Sequence, residues 1–72
     1  MARLSKVVRS NNAHNHLMHK YDSDGSVMGA TKWYYHKEIS AIQHKRGKIL
    51  SRKERQGIFR GLLASAKKGK IK

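Results

Sequence analysis

His16-Leu17-Met18-His19-Lys20-Tyr21-Asp22-Ser23-Asp24-Gly25-Ser26-Val27-Met28-Gly29-Ala30 is the stretch on which the fold depends. At its centre, Asp22-Ser23-Asp24-Gly25 is a strong turn signal, with short polar side chains that bond nearby backbone and a glycine free to take positive φ. The flanks His16–Tyr21 and Ser26–Ala30 are short and partly alternating in polarity, a pattern that predicts a β-hairpin. The chain has no proline, so no ladder hydrogen bond is barred. Gly29 and Ala30 then end the second strand. Upstream, Arg3–Arg9 carries Leu4, Val7 and Val8, which suit one further short strand or an extended arm over residues 1–10. Ser10-Asn11-Asn12 closes that segment as a turn or cap cluster.

Downstream the signals change to helical ones. Ser51-Arg52-Lys53-Glu54 has the spacing of a capping box. Behind it Ile58, Phe59, Leu62, Leu63 and Ala66 recur on one stripe, and Gly69 follows Lys67-Lys68 as a stop. A helix from about Arg52 to Lys68 follows. A second helix precedes it, from about Thr31 to Arg46, on the pattern Tyr35, Ile39, Ile42 and Ile49, closed by Gly47. Lys32-Trp33-Tyr34-Tyr35-His36 suits a strand equally well. Two of its three aromatics are expected in the core. Gly57 and Gly61 each cost roughly 1 kcal/mol against alanine in a helix interior. Close backbone approach to another element is one physical account of them, and a frayed or kinked helix is the other. The expected fold is a small α+β single domain, 1–72, with a short N-terminal β-hairpin of two or three strands followed by two C-terminal helices. Residues 69–72 form a basic tail.

Charge bounds the function. Seventeen Lys and Arg face four acids, a formal net charge of +13. Residues 1–36 hold five basic and two acidic residues, a net of +3, whereas residues 37–72 hold twelve and two, a net of +10. Self-repulsion at this density destabilises a compact chain unless a polyanion offsets it. The cations gather around the turn between the two helices and along the last one: Lys45, Arg46, Lys48, Arg52, Lys53, Arg55, Arg60, Lys67 and Lys68. These are the expected contacts to nucleic acid or to an acidic partner. The apolar residues Leu4, Val7 and Val8 offer a protein-contact arm.

Other chemistries lack parts. There are no cysteines, hence no disulfide framework and no zinc–thiolate site. His14, His16 and His19 lie close in sequence, but neither strand nor helix presents all three together, so no metal is expected. A calcium loop beginning at Asp22 would need Gly at its sixth position and Glu at its twelfth. Val27 and Trp33 stand there instead. The four acids Asp22, Asp24, Glu38 and Glu54 each have a structural or solvated context, and no nucleophile elbow or phosphate loop frames the serines. No enzyme, cofactor or small-molecule substrate is expected. No apolar run is long enough to span a membrane, and a cytoplasmic monomer is the corresponding expectation.

In overall profile (tiny, basic, without cysteine or proline) the chain is similar to small bacteriophage-encoded regulators that bind host RNA polymerase. The likeness is one of composition across the whole chain and assigns no residues. It implies a non-enzymatic transcription regulator acting on RNA polymerase, nucleic acid or both. A ribosomal or other RNA-associated structural protein, and a nucleic-acid binder without polymerase contact, are the alternatives.

Overall fold

The computed structural model describes residues 5–69, and there the chain is three helices with no strand. They are α1 (Lys6–Tyr21), α2 (Val27–Arg46) and α3 (Arg52–Lys67). The expected α+β hairpin is therefore corrected to a small helical bundle. The turn at Asp22–Gly25 stands, but it joins two helices rather than two strands. Residues 6–10 open α1 instead of forming an extended arm or strand, and Ser10-Asn11-Asn12 lies inside that helix. Leu4 and residues 70–72 of the basic tail lie outside the described residues.

The reason is legible in which side chains are covered. Val7, Ser10, Asn11, His14, Leu17, Met18 and Tyr21 are the covered or half-covered positions of α1. Their spacing is three, one, three, three, one and three, a helical stripe. Three of the seven are polar, so hydrophobicity alone does not reveal the period. The partial alternation within His16–Tyr21 is a fragment of that stripe.

A serine begins each helix. Ser5 Oγ accepts from Val8 N–H at 3.1 Å, Ser26 Oγ from Gly29 N–H at 2.9 Å and Ser51 Oγ from Glu54 N–H at 3.2 Å. At Ser51 the capping box is complete, since Glu54 Oε1 accepts from Ser51 N–H at 3.3 Å. α2 begins at Val27, upstream of the expected Thr31, so Gly29 and Ala30 are helical rather than the end of a strand. A Cβ on Gly29 would collide with the Asp24 side chain, whose Oδ1 accepts from Ser26 N–H at 2.8 Å. Gly47, with φ of 70°, and Gly69, with φ of 78°, supply the left-handed stops after α2 and α3.

α2 is the central element. α1 packs on one part of it and α3 on another, while α1 and α3 do not pack on each other. The result is a slab measuring 46 × 25 × 16 Å. Its apolar core is thin: among the described residues, Ile39, Leu50 and Ala66 are the buried hydrophobic ones. Leu50 takes the place expected for Ile49, which stays 43% exposed. Trp33 and Tyr35 are half-buried and Tyr34 is exposed. Polar residues complete the interior. Gln43, with no exposed surface, donates through Nε2 to Ser10 Oγ and Asn11 Oδ1 and accepts through Oε1 from Leu50 N–H. One side chain thus ties α1, α2 and the α2–α3 turn together.

A Cβ at Gly57 or Gly61 would meet nothing within 4 Å, so among the described residues close approach of another element does not account for them.

Candidate functional site

α3 carries its apolar stripe against α2 and leaves its cations on the flanks. Arg52, Arg55, Gln56, Phe59 and Arg60 come from its first two to three turns, and Tyr35 comes from the middle of α2. Together they line an open groove of about 510 Å³. The Tyr35 and Phe59 rings meet edge to face, with centroids 5.4 Å apart and planes at 89°. Arg55 is half-buried, and its Nε is covered without a hydrogen-bond partner. A guanidinium nitrogen cut off from water and left unpaired is an electrostatic cost.

Among the described residues no carboxylate pairs with these arginines. Among the described residues the one ion pair is Arg46–Glu54, at 3.0 Å and half-exposed. The Glu54 carboxyl is held below the ordinary carboxylate range, first by the Ser51 N–H, then by the Ser51 side chain and by Arg46. Asp24 is likewise held low, first by the backbone N–H of Ser26. Both acids are engaged locally.

Of the expected contact residues, Arg52, Arg55 and Arg60 are brought together around the groove. Lys53 and Lys67 share the exposed side of α3 with Arg60, at spacings of seven. Lys45 and Lys48 are exposed at the end of α2 and in the following turn, and Arg46 is engaged with Glu54. Lys68 is exposed beyond the end of α3. The expected arm does not join them. Val7 is half-buried in α1, while Val8 lines a separate hollow of about 440 Å³ with asparagines 11, 12 and 15, Met18, Lys37 and Ala41. Val7 and Val8 thus belong to a helix rather than to an extended arm, and Val8 stays 41% exposed.

A pair of histidines was not anticipated. His14 and His36, each under one-tenth exposed, face one another across α1 and α2 with their Nδ1 atoms 2.7 Å apart. One ring must donate and the other accept, so at least one is neutral. Burial lowers the pKa of His36 to about 4, with the charges of His14 and Lys32 adding to the effect. Burial also lowers that of His14, and Arg55 contributes. Tyr35 and Tyr21 pack against this pair, Tyr21 stacking on His36 at 6.2 Å. The sequence signal lies in the stripe: His14 occupies a core-facing place of α1, seven residues before Tyr21. Among the described residues, no three His, Asp or Glu side chains gather as metal ligands. None of the described helices is long and apolar enough to cross a membrane.

No protein-family model, curated protein or solved structure matches this chain. The functional reading therefore rests on the site itself. What the groove offers chemically is a set of planar, permanently charged donors beside two aromatic rings, with Gln56 as a neutral donor and acceptor.

Proposed function

We propose that this chain is a non-enzymatic binding protein that engages a polyanion through the cationic surface of α2, the turn after it and α3, and acts as a transcription regulator. Its partner is nucleic acid, an acidic protein surface such as that of RNA polymerase, or both. The observation that carries this reading is the unanswered charge. Three arginines share one groove with no acid among its lining residues, and Lys45, Lys48, Lys53, Lys67 and Lys68 stand exposed on α2, the turn after it and α3. Helix capping accounts for part of this charge, because Lys45, Lys67 and Lys68 lie at helix C-termini. It does not account for Arg52, Lys53 or Arg55 at the opposite, N-terminal end of α3, where the helix dipole disfavours cations.

Binding to fluorescent oligonucleotides across a salt series tests the nucleic-acid arm. If six phosphates are neutralised on a duplex, log K falls against log salt with a slope of about −5. Substituting Lys45, Lys48, Lys53 and Lys67 by Gln is expected to flatten that slope by about 0.9 for each phosphate no longer neutralised. Capture from bacterial lysate with and without nuclease separates the protein arm: polymerase subunits retained after nuclease support it. If neither oligonucleotide nor polymerase binds at low salt, the proposal fails.

A further inference from the structure

Resting on that reading, we propose that the groove between α2 and α3 seats one unpaired nucleotide of a single-stranded nucleic acid. Its phosphate lies on Arg55, flanked by Arg52 and Arg60, and its base lies against Tyr35 and Phe59.

Volume, charge and ring content each bear on this choice. The groove, about 510 Å³, falls within the range of small-molecule sites, roughly 300–1,000 Å³. Its three charged lining residues are all arginine, whose forked N–H groups match phosphate oxygens in pairs. Arg55 already has a covered, unpartnered Nε. An anion held on its remaining nitrogens offsets the cost of that desolvation, which water does not reach.

Charge alone would suit any polyanion, and the rings decide between them. A duplex keeps its bases stacked inside and offers its phosphates outside, so it brings no base to Tyr35 and Phe59, which line the groove while packing on each other. An acidic peptide satisfies the arginines but brings no flat apolar surface to the rings. An unpaired nucleotide supplies both parts, and base–aromatic stacking tolerates any base. Gln56, at the same groove, can donate to and accept from a base edge.

The experiment compares a short single-stranded oligothymidylate, a duplex of equal charge and an oligoglutamate by fluorescence anisotropy at one salt concentration. The single strand is expected to bind about ten-fold more tightly than the duplex, the scale of one base stacked on an aromatic side chain. Phe59→Leu should remove that preference and leave duplex affinity unchanged, while Arg55→Gln should weaken the single strand more than the duplex. Titrating the unsubstituted protein with oligothymidylate and following the Arg55 guanidinium Nη–Hη resonance by NMR requires no variant to fold. A shift that saturates with binding supports the seat on Arg55. An unmoved resonance during saturable binding overturns it, as does equal affinity for single strand and duplex. Oligoglutamate binding as tightly as oligothymidylate would overturn it in favour of a carboxylate partner. Failure of every probe to bind overturns it too, and leaves the broader reading of the cationic surface to the polymerase capture alone.

Discussion

The two seams of this molecule use polar residues in opposite ways. Between α1 and α2, buried polar groups are matched to one another. His14 bonds His36, and Gln43 bonds Ser10, Asn11 and the backbone of Leu50. Between α2 and α3, the groove holds three arginines without an acid, and one of their nitrogens is covered and unpaired. A satisfied polar network fixes a unique arrangement, whereas an unsatisfied cationic cluster weakens the fold unless something binds it. The first seam is satisfied from within, whereas the groove of the second leaves its three arginines without an acid among its lining residues.

The largest test of this contrast removes the central side chain of the first seam. Gln43→Ala leaves Leu50 N–H, Ser10 and Asn11 without their partner and opens a void where no solvent reaches. The expected loss is about 3 kcal/mol, a large share of the stability of a small domain. Arg55→Gln in the second seam should cost less than about 0.5 kcal/mol, since it removes a charge that nothing answers. Urea unfolding followed by circular dichroism compares the two directly. Equal losses would erase the distinction between a satisfied and an unsatisfied seam.

That same contrast explains how far the sequence could be read. α3 was legible almost to the residue, because its capping box, apolar stripe and closing glycine agree with one another. The stop at Gly47 was legible for the same reason. α1 was not, because Ser10, Asn11 and His14 stand in the core-facing places where apolar residues are expected. Their burial depends on Gln43 and His36, which lie 32 or 33 and 22 residues away and can be matched only once the helices are side by side. Short polarity windows around the Asp22–Gly25 turn therefore suggested strands. The candidate site was legible in its cations but not in its geometry. Nothing in the spacing of Arg52, Arg55 and Arg60 indicates that Tyr35 is the residue they flank.

A smaller effect comes from acid. The folded-state pKa of His36, about 4, lies below its unfolded value, and that of His14 is lowered as well. Between about pH 6.5 and pH 4 the unfolded chain takes up protons that the folded chain resists, so stability falls as pH falls through this window. Lys32 and Arg55 oppose protonation from the surrounding elements, and Tyr21 and Tyr35 provide no compensating charge. The melting temperature should drop by about 5 °C from pH 7 to pH 5, the scale of roughly 1 kcal/mol in a domain of this size. His36→Phe should flatten that dependence, with His16, His19 and His44 left in place as exposed histidines. A pH dependence undiminished in the variant would place its origin outside the buried pair.

The smallest effect separates the glycines of the two seams. Gly29 lies at the tip of the α1–α2 seam, where a Cβ would strike Asp24 and disturb the carboxylate that accepts from Ser26 N–H. Gly57 and Gly61 lie on α3 with open space around them and ordinary helical backbone. Gly57→Ala and Gly61→Ala should each stabilise by roughly 0.5–1 kcal/mol, by lowering the entropy of the unfolded chain. Gly29→Ala should instead destabilise, because Asp24 must move before the methyl group fits. Thermal unfolding of the three variants reads the sign in each case. A gain at Gly29 would show that the Asp24 side chain yields freely, and a loss at Gly57 would show that α3 is less regular there than its hydrogen bonding implies.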